Sequence, residues 1–408
     1  MKSADLATVL AALLVAACGG GGGSGNTQIP PPTGDNVVPV SVDGTNCNRS
    51  RSASYPNKPC VTVTVCTPGT NDCQVIDDVL LDTGSYGLRL FKTVLGNAKP
   101  QQVAVGGEDL ATCVNFVDGS SEWGPVQVAD VVLGGEPPAQ VPIHVIDSGY
   151  ANAPGSCSTP DSGPDAAGFN GILGVGYFTQ DCGDGCATTS PPLGRYFTCS
   201  GTSCTDVATT HTAVPLASQV QNPVAGLSQD NNGMIIVLPP LPAGGKESLE
   251  GWLLLGIGTR TNNHLAGAVA LPVNGLGEFE TDVGGAAFTQ SFIDTGSNGL
   301  FFDASQTSTS LPACPGPNSS WYCPALSVPF VATNRYLFGV TSQATFSIGN
   351  FNASGNNLVL PQAGGTSFSG DPSFDWGLPF YLGRRVAIGF DRQVSTLGTG
   401  PFLAFVPY

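Results

Sequence analysis

Charge is scarce in this chain. Only 11% of the 408 residues are charged, and Lys and Arg together number 14 against 30 Asp and Glu. A formal net charge of −16 leaves no basic patch for phosphate contacts, which excludes a nucleic-acid partner. Histidine is scarcer: His144, His211 and His264 are scattered, share no motif, and read as surface or loop residues. None lies beside a cysteine pair, which argues against a zinc site, and no other metal or cofactor motif is present. The Gly-x-Ser-x-Gly elbow of serine hydrolases is missing, and Gly256-Ile-Gly258 has no helix after it, as a nucleotide loop would require. Past the N-terminus no apolar run approaches eighteen residues, so the body of the chain is not expected to be embedded in a membrane. No amphipathic stretch of clear helical period exceeds about three turns, which counts against a helical bundle.

What the chain has in abundance is turns and apolar strands. It carries 55 Gly and 33 Pro, and 41% of its residues are hydrophobic. That composition suits short strands joined by many turns, an all-β class. Cys60-Val-Thr-Val-Thr-Val-Cys66 alternates with period two, Thr67-Pro-Gly-Thr-Asn-Asp72 turns the chain, and residues 74–81 run back. Residues 126–133, ending before Gly134-Gly135, and 141–146 read as another hairpin. Residues 234–238, 252–255 and 402–406 are further strands, and 150–232 read as long Cys- and Gly-rich loops. The aromatic group Trp376, Phe380 and Tyr381 reads as core rather than as a ligand box.

The N-terminus reads as an address. Met1 and Lys2 precede an apolar run over residues 6–17, too short to span a bilayer as a stable helix. The run ends Val15-Ala16-Ala17-Cys18, like a bacterial lipobox in which Cys18 becomes the lipidated first residue, although Asp5 departs from the purely basic start usual there. A plain secretory signal with an incidental cysteine is the alternative. Residues 1–18 are thus expected to be a signal peptide and 19–36, almost pure glycine and then Pro30-Pro31-Pro32, a surface tether. A cell-envelope protein held by a lipid anchor follows; Gly19 after Cys18 is no inner-membrane retention signal and tilts the expectation to the outer membrane. Setting Cys18 aside, twelve cysteines remain, an even set suited to an exported protein. Short spacings pair Cys66 with Cys73, Cys182 with Cys186, Cys199 with Cys204 and Cys314 with Cys323, leaving the partners of Cys47, Cys60, Cys113 and Cys157 open.

One internal repeat carries chemistry. Val79-Leu-Leu-Asp82-Thr-Gly-Ser-Tyr-Gly-Leu88 is echoed by Ser291-Phe-Ile-Asp294-Thr-Gly-Ser-Asn-Gly-Leu300, each a hydrophobic strand running into Asp-Thr-Gly-Ser. Each copy is followed by an apolar segment, Gly171-Ile-Leu-Gly-Val-Gly176 and Trp376-Gly-Leu-Pro-Phe380. Gly84 and Gly296 let the backbone turn so that Asp82 and Asp294 point out of their strand ends. Thr83 and Thr295 can bond across to the opposite loop, and Ser85 and Ser297 can donate to the outer carboxylate oxygens. Two carboxylates held about 3 Å apart share one proton, which equips them to activate a water and protonate a carbonyl oxygen.

With these residues the chain resembles the pepsin-like aspartic peptidases, and among proteins of that fold the bacterial lipoproteins more than the digestive pepsins. Thr67-Pro68, Val126-Gln-Val before Gly134-Gly135, Gly171-Ile-Leu-Gly174, Gly251-Trp-Leu-Leu-Leu-Gly256 and Phe390-Asp391-Arg392 carry the likeness over residues 58–408, with a gap near 178–222. The resemblance implies two duplicated β-lobes, over 37–258 and 259–408, with an extended peptide or protein substrate in the cleft between them. It implies that Asp82 and Asp294 hold the lytic water, and that one chain, as a monomer, supplies both halves of the site. Three departures stand out: no Tyr in the stretch Phe116-Val-Asp-Gly-Ser-Ser-Glu-Trp123 that corresponds to the flap, Arg89 where a supporting Trp is expected, and Pro379 where the second crossing segment is expected to carry Gly. An aspartic endopeptidase and a catalytically silent binding protein, taking a peptide or a cell-wall partner, both fit this pattern.

Overall fold

The computed structural model describes residues 31–43, 46–47, 55–116, 119–157 and 159–408. The expected signal peptide, the Cys18 anchor and most of the Gly-rich tether lie outside the described residues, as do Val117 and Asp118 of the stretch assigned to the flap. The described chain is all-β; its helical segments are single turns of three or four residues. None is long and apolar enough to cross a membrane.

Local sequence explains the strands. In Pro59–Cys66 the side chains of Val61, Val63 and Val65 are fully buried while the alternating threonines are half-buried. The strand turns at Gly69 and runs back antiparallel as Cys73–Asp82, with Cys66 directly opposite Cys73 and bonded to it. All four short-range disulfides form, and the open cysteines pair as Cys47–Cys60 and Cys113–Cys157.

One antiparallel sheet gathers distant parts of the chain: Val37–Val42 beside Leu249–Leu255, then Gly233–Leu238, Arg384–Gly389 and finally Phe402–Pro407. Two copies of one interleaved unit follow, the first continuous with this sheet through Val37–Val42 and Pro59–Cys66, the second in a separate seven-stranded sheet. In the first, Gly171–Val175 inserts between Cys73–Asp82, to which it runs parallel, and Tyr86–Phe91, to which it runs antiparallel. In the second, Asp375–Trp376 inserts between Ala286–Ile293 and Leu300–Phe301 with the same two senses. The copies are filled differently. The first is packed with aliphatic side chains such as Val63, Leu81, Leu88 and Leu173. The second is aromatic: Phe302 stacks on Phe374 at 4.7 Å, and Phe288, Phe346 and Trp376 close around Phe374. Each buried side chain of this size contributes about 1.5–3 kcal/mol, so both units carry substantial cores.

Residues 150–232, expected as loops, hold more strand than that. Tyr196–Ser200 and Ser203–Asp206 form a hairpin stapled by Cys199–Cys204, and its first strand adds to the edge of Glu108–Asn115. The short Gly-containing turn between two cysteines was the available signal; pairing to a strand some eighty residues earlier was not readable locally.

Candidate functional site

Asp82 is the last residue of its strand, and Asp294 directly follows the strand Ala286–Ile293. The inserted strand supports each from behind, Gly174 lying opposite Asp82 and Trp376 opposite Ile293, while the Asp294 N–H donates to the Trp376 carbonyl at 3.1 Å. The two loops meet. The Thr83 N–H donates to the Thr295 hydroxyl at 3.1 Å, and the Thr295 N–H to the Thr83 hydroxyl at 2.9 Å. The Thr295 hydroxyl in turn donates to the Leu81 carbonyl at 2.6 Å. Both threonines are buried, so this reciprocal set is shielded from water and clamps residues 212 positions apart.

The carboxylates are held alike. The Gly84 N–H donates to Asp82 Oδ1 at 2.8 Å and the Ser85 hydroxyl to Oδ2; the Gly296 N–H donates to Asp294 Oδ1 at 2.7 Å and the Ser297 hydroxyl to Oδ2 at 2.8 Å. The reason for glycine differs from the turn argument. A Cβ on Gly84 would stand 2.6 Å from Asp294 Cγ, and one on Gly296 would stand 2.9 Å from Asp82 Oδ1. Glycine is needed because the opposite aspartate occupies that space.

Asp82 and Asp294 stand side by side: a Cβ on Gly296 would lie 2.9 Å from Asp82 Oδ1 and 3.0 Å from Asp294 Oδ1. Burial first, then the charge of Asp294 and its proximity as a hydrogen-bonding partner, push the Asp82 carboxyl well above the usual carboxylate range, while Ser85 and the Gly84 N–H pull it back. Gly84 is exposed and Ser85, Asp294 and Ser297 are half-buried, so solvent reaches the rim of the pair. Such a pair can hold one proton and offer one basic oxygen at the same time.

Four neighbours escaped sequence reasoning. The Tyr381 and Thr83 hydroxyls lie 2.8 Å apart, and Tyr55 donates to the Gly296 carbonyl. Burial, followed by the charge of Asp82, raises the Tyr86 phenol. Asp375 adds a further carboxyl, itself buried. Tyr86 was within reach of the sequence, being the one residue, Asn298 in the second copy, that differs from Asp to Leu across the two motifs; the others come from distant segments.

Two expectations change, and Arg89 gains a partner. Pro379 does not occupy the glycine position of the second inserted segment. Gly377 does: a Cβ there would strike the Gly299 carbonyl at 2.0 Å, just as one on Gly174 would lie 2.9 Å from the Gly87 carbonyl. His144 is no surface residue. It is fully buried in Ala139–Ile146, with Nδ1 3.1 Å from Arg89 Nη1, and burial and the Arg89 charge hold its pKa well below the ordinary value. Arg89 itself is buried, its Nη2 3.0 Å from Asp181, which also accepts from the Tyr196 hydroxyl. An ion pair thus fills the place where the resemblance expects an indole.

The hairpin assigned to the flap is tied on two sides. Glu108–Asn115 pairs with both Ser121–Val132 and Tyr196–Ser200, and Cys113–Cys157 fastens it to the following loop. Trp123 is fully buried, its Nε1–H donating to the Tyr150 carbonyl at 2.6 Å. Trp376, Phe380 and Tyr381 are buried as expected of core, although Trp376 and Phe380 also border a cavity of about 300 Å³ that includes neither aspartate. Cys47, Cys60 and Asp78 converge, but the two sulfurs are joined as a disulfide and Asp78 pairs with Lys58 Nζ at 2.8 Å, so this cluster offers no thiolate ligands.

A family model described as "Protein of unknown function (DUF3443)" matches residues 32–405. No curated protein matches the chain.

Proposed function

Because the chain belongs to the DUF3443 family, whose description assigns no activity, its function rests on the site, and we propose that it is an aspartic-type endopeptidase of pepsin-like, two-lobed architecture. The observation that carries this reading is the adjacent Asp82–Asp294 pair, held by two loops of identical sequence that clamp each other through Thr83 and Thr295. A water bridging the two carboxyls would lose its proton to the ionised oxygen as it attacks the scissile carbonyl. The protonated carboxyl would donate to the carbonyl oxygen, giving a neutral gem-diol. That intermediate collapses when the carboxyl proton passes to the departing amine nitrogen and a gem-diol hydroxyl gives its proton to the other carboxylate, which restores the single shared proton. The Gly84 and Gly296 N–H groups and the two serine hydroxyls keep the outer oxygens oriented throughout. Because the dyad titrates as a unit, base and acid roles belong to the pair.

The substrate would be an extended peptide or protein segment added as a strand in the cleft. Six disulfides support export, and lipidation at Cys18 would tether the protein as a monomer to the outer membrane. The test is cleavage of a denatured protein by the full chain from about pH 3 to about pH 7. Activity should be blocked by a hydroxyl-bearing transition-state mimic and should fall at least about a hundredfold in both Asp82→Asn and Asp294→Asn. Wild type and both variants equally inert at every pH would overturn the reading. The second reading, a silent peptide- or cell-wall-binding protein, would then take its place; it is favoured by the doubly tied hairpin at 108–132, which restricts closure over a substrate.

A further inference from the structure

The two Asp-Thr-Gly-Ser units pair in the same register, so any place where they differ is informative. Asp375 pairs with Phe292 on one side and Phe301 on the other. The matching residue of the first unit, Ile172, pairs with Leu80 and Arg89. An isoleucine in one copy is therefore a carboxyl in the other. Burying a carboxyl where an apolar side chain would pack costs solvation free energy and calls for compensation. Asp375 is 9% exposed, and its Oδ1 has no hydrogen-bond partner among the described residues. Its electrostatic surroundings are acidic: the charges of Asp294 and Asp82 act on it, its own charge acts on the Tyr381 hydroxyl, and no Lys, Arg or His among the described residues forms an ion pair with it. The link to the dyad is Ser297, which bonds Asp294 Oδ2 at 2.8 Å and also interacts with Asp375.

We propose that Asp375 is a third carboxyl of this site, a positioning residue that holds a proton of its own and acts on Asp294 through the Ser297 hydroxyl. The inference rests on the dyad reading above. Ser297 has a single hydrogen to give. While Asp375 is protonated, its O–H donates to Ser297 Oγ, and Ser297 donates to Asp294 Oδ2. When Asp375 ionises, it competes for that hydrogen and adds a negative charge beside the pair. Both effects make the dyad hold its remaining proton more tightly. Burial, then the charges of Asp294 and Asp82, push the Asp375 carboxyl well above the usual carboxylate range, which agrees with the direction required. The duplicated loops thereby gain unequal partners: Ser297 answers to a carboxyl, whereas Ile172 gives the first loop none.

The test compares the full chain with Asp375→Asn by two readouts. In an infrared carboxyl titration, wild type should show one more protonated carboxyl band than the variant at about pH 6, above the ordinary carboxylate range. In the peptidase pH profile, the variant should keep the acid limb and shift the alkaline limb to lower pH by about half a unit or more. Identical spectra would mean that Asp375 is ionised there and would overturn the inference. A lost band with an unmoved alkaline limb would overturn its action on Asp294. If no peptidase activity exists, the proposed function falls on its own, and the same shift is read from the dyad's own carboxyl bands. Asp375→Leu, which copies the apolar character of the first unit, serves if the Asn variant does not fold.

Discussion

Substituting Thr295 by Val tests whether the two loops clamp each other. Valine keeps the shape and removes the hydroxyl, which accepts from the Thr83 N–H at 3.1 Å and donates to the Leu81 carbonyl at 2.6 Å. Thr295 is 1% exposed and Thr83 2%, so no water replaces those contacts without opening the seam. Each buried backbone group left unpaired costs about 1–3 kcal/mol, which puts the loss at about 2–6 kcal/mol before relaxation. Thr295→Ser is the control, since it keeps both hydrogen bonds and loses only a methyl group, worth about 0.8 kcal/mol. Urea unfolding of the full chain, with midpoint shifts converted at a common slope, measures both. Thr83→Val removes the reciprocal set, and because both sets cross one seam the double variant should cost less than the sum of the singles by about 0.5 kcal/mol or more. A Val variant as stable as the Ser control would refute the clamp, and with it the geometry that joins the aspartates.

Replacing Arg89 with Met should destabilise the protein by about 3–5 kcal/mol, because Asp181 keeps its burial and loses its cation; replacing Asp181 with Leu as well should recover much of that loss. Unfolding midpoints read both, and a single variant within about 1 kcal/mol of wild type would show that the pair does not hold the fold. Asp375 also predicts a pH dependence of stability. Its folded-state pKa is raised, so its protonated form favours the native state below the unfolded value of about 3.9, and that advantage is lost as pH rises through the raised folded value. The Asn variant does not titrate, so it should gain on wild type from about pH 4 upward; a constant difference between them would contradict the shift.

Much of the fold is written in short stretches. The alternation in residues 60–66, the turn at 67–72 and the closely spaced cysteines act over a few residues, so strands, hairpin and four disulfides follow from local pattern. The duplicated tetrapeptide is also local, and its repetition alone named the two aspartates. Cys47–Cys60 and Cys113–Cys157 were open because long loops permit several pairings. His144 and Arg89 carry polar side chains that composition places at the surface; only when their strands pair in parallel, residue against residue, are they buried together.

The sequence by itself determined that this is a disulfide-rich β protein with two matching acidic loops, because alternation, turns and repeats are properties of neighbouring residues. Only the tertiary structure decided that those loops meet, that Gly377 rather than Pro379 lets the second one be backed, and that Asp375 is buried where the first unit has Ile172. Each of these depends on a strand returning from some eighty or ninety residues away to insert between two others. That register is fixed by the burial of both cores together, and no short window of sequence contains it.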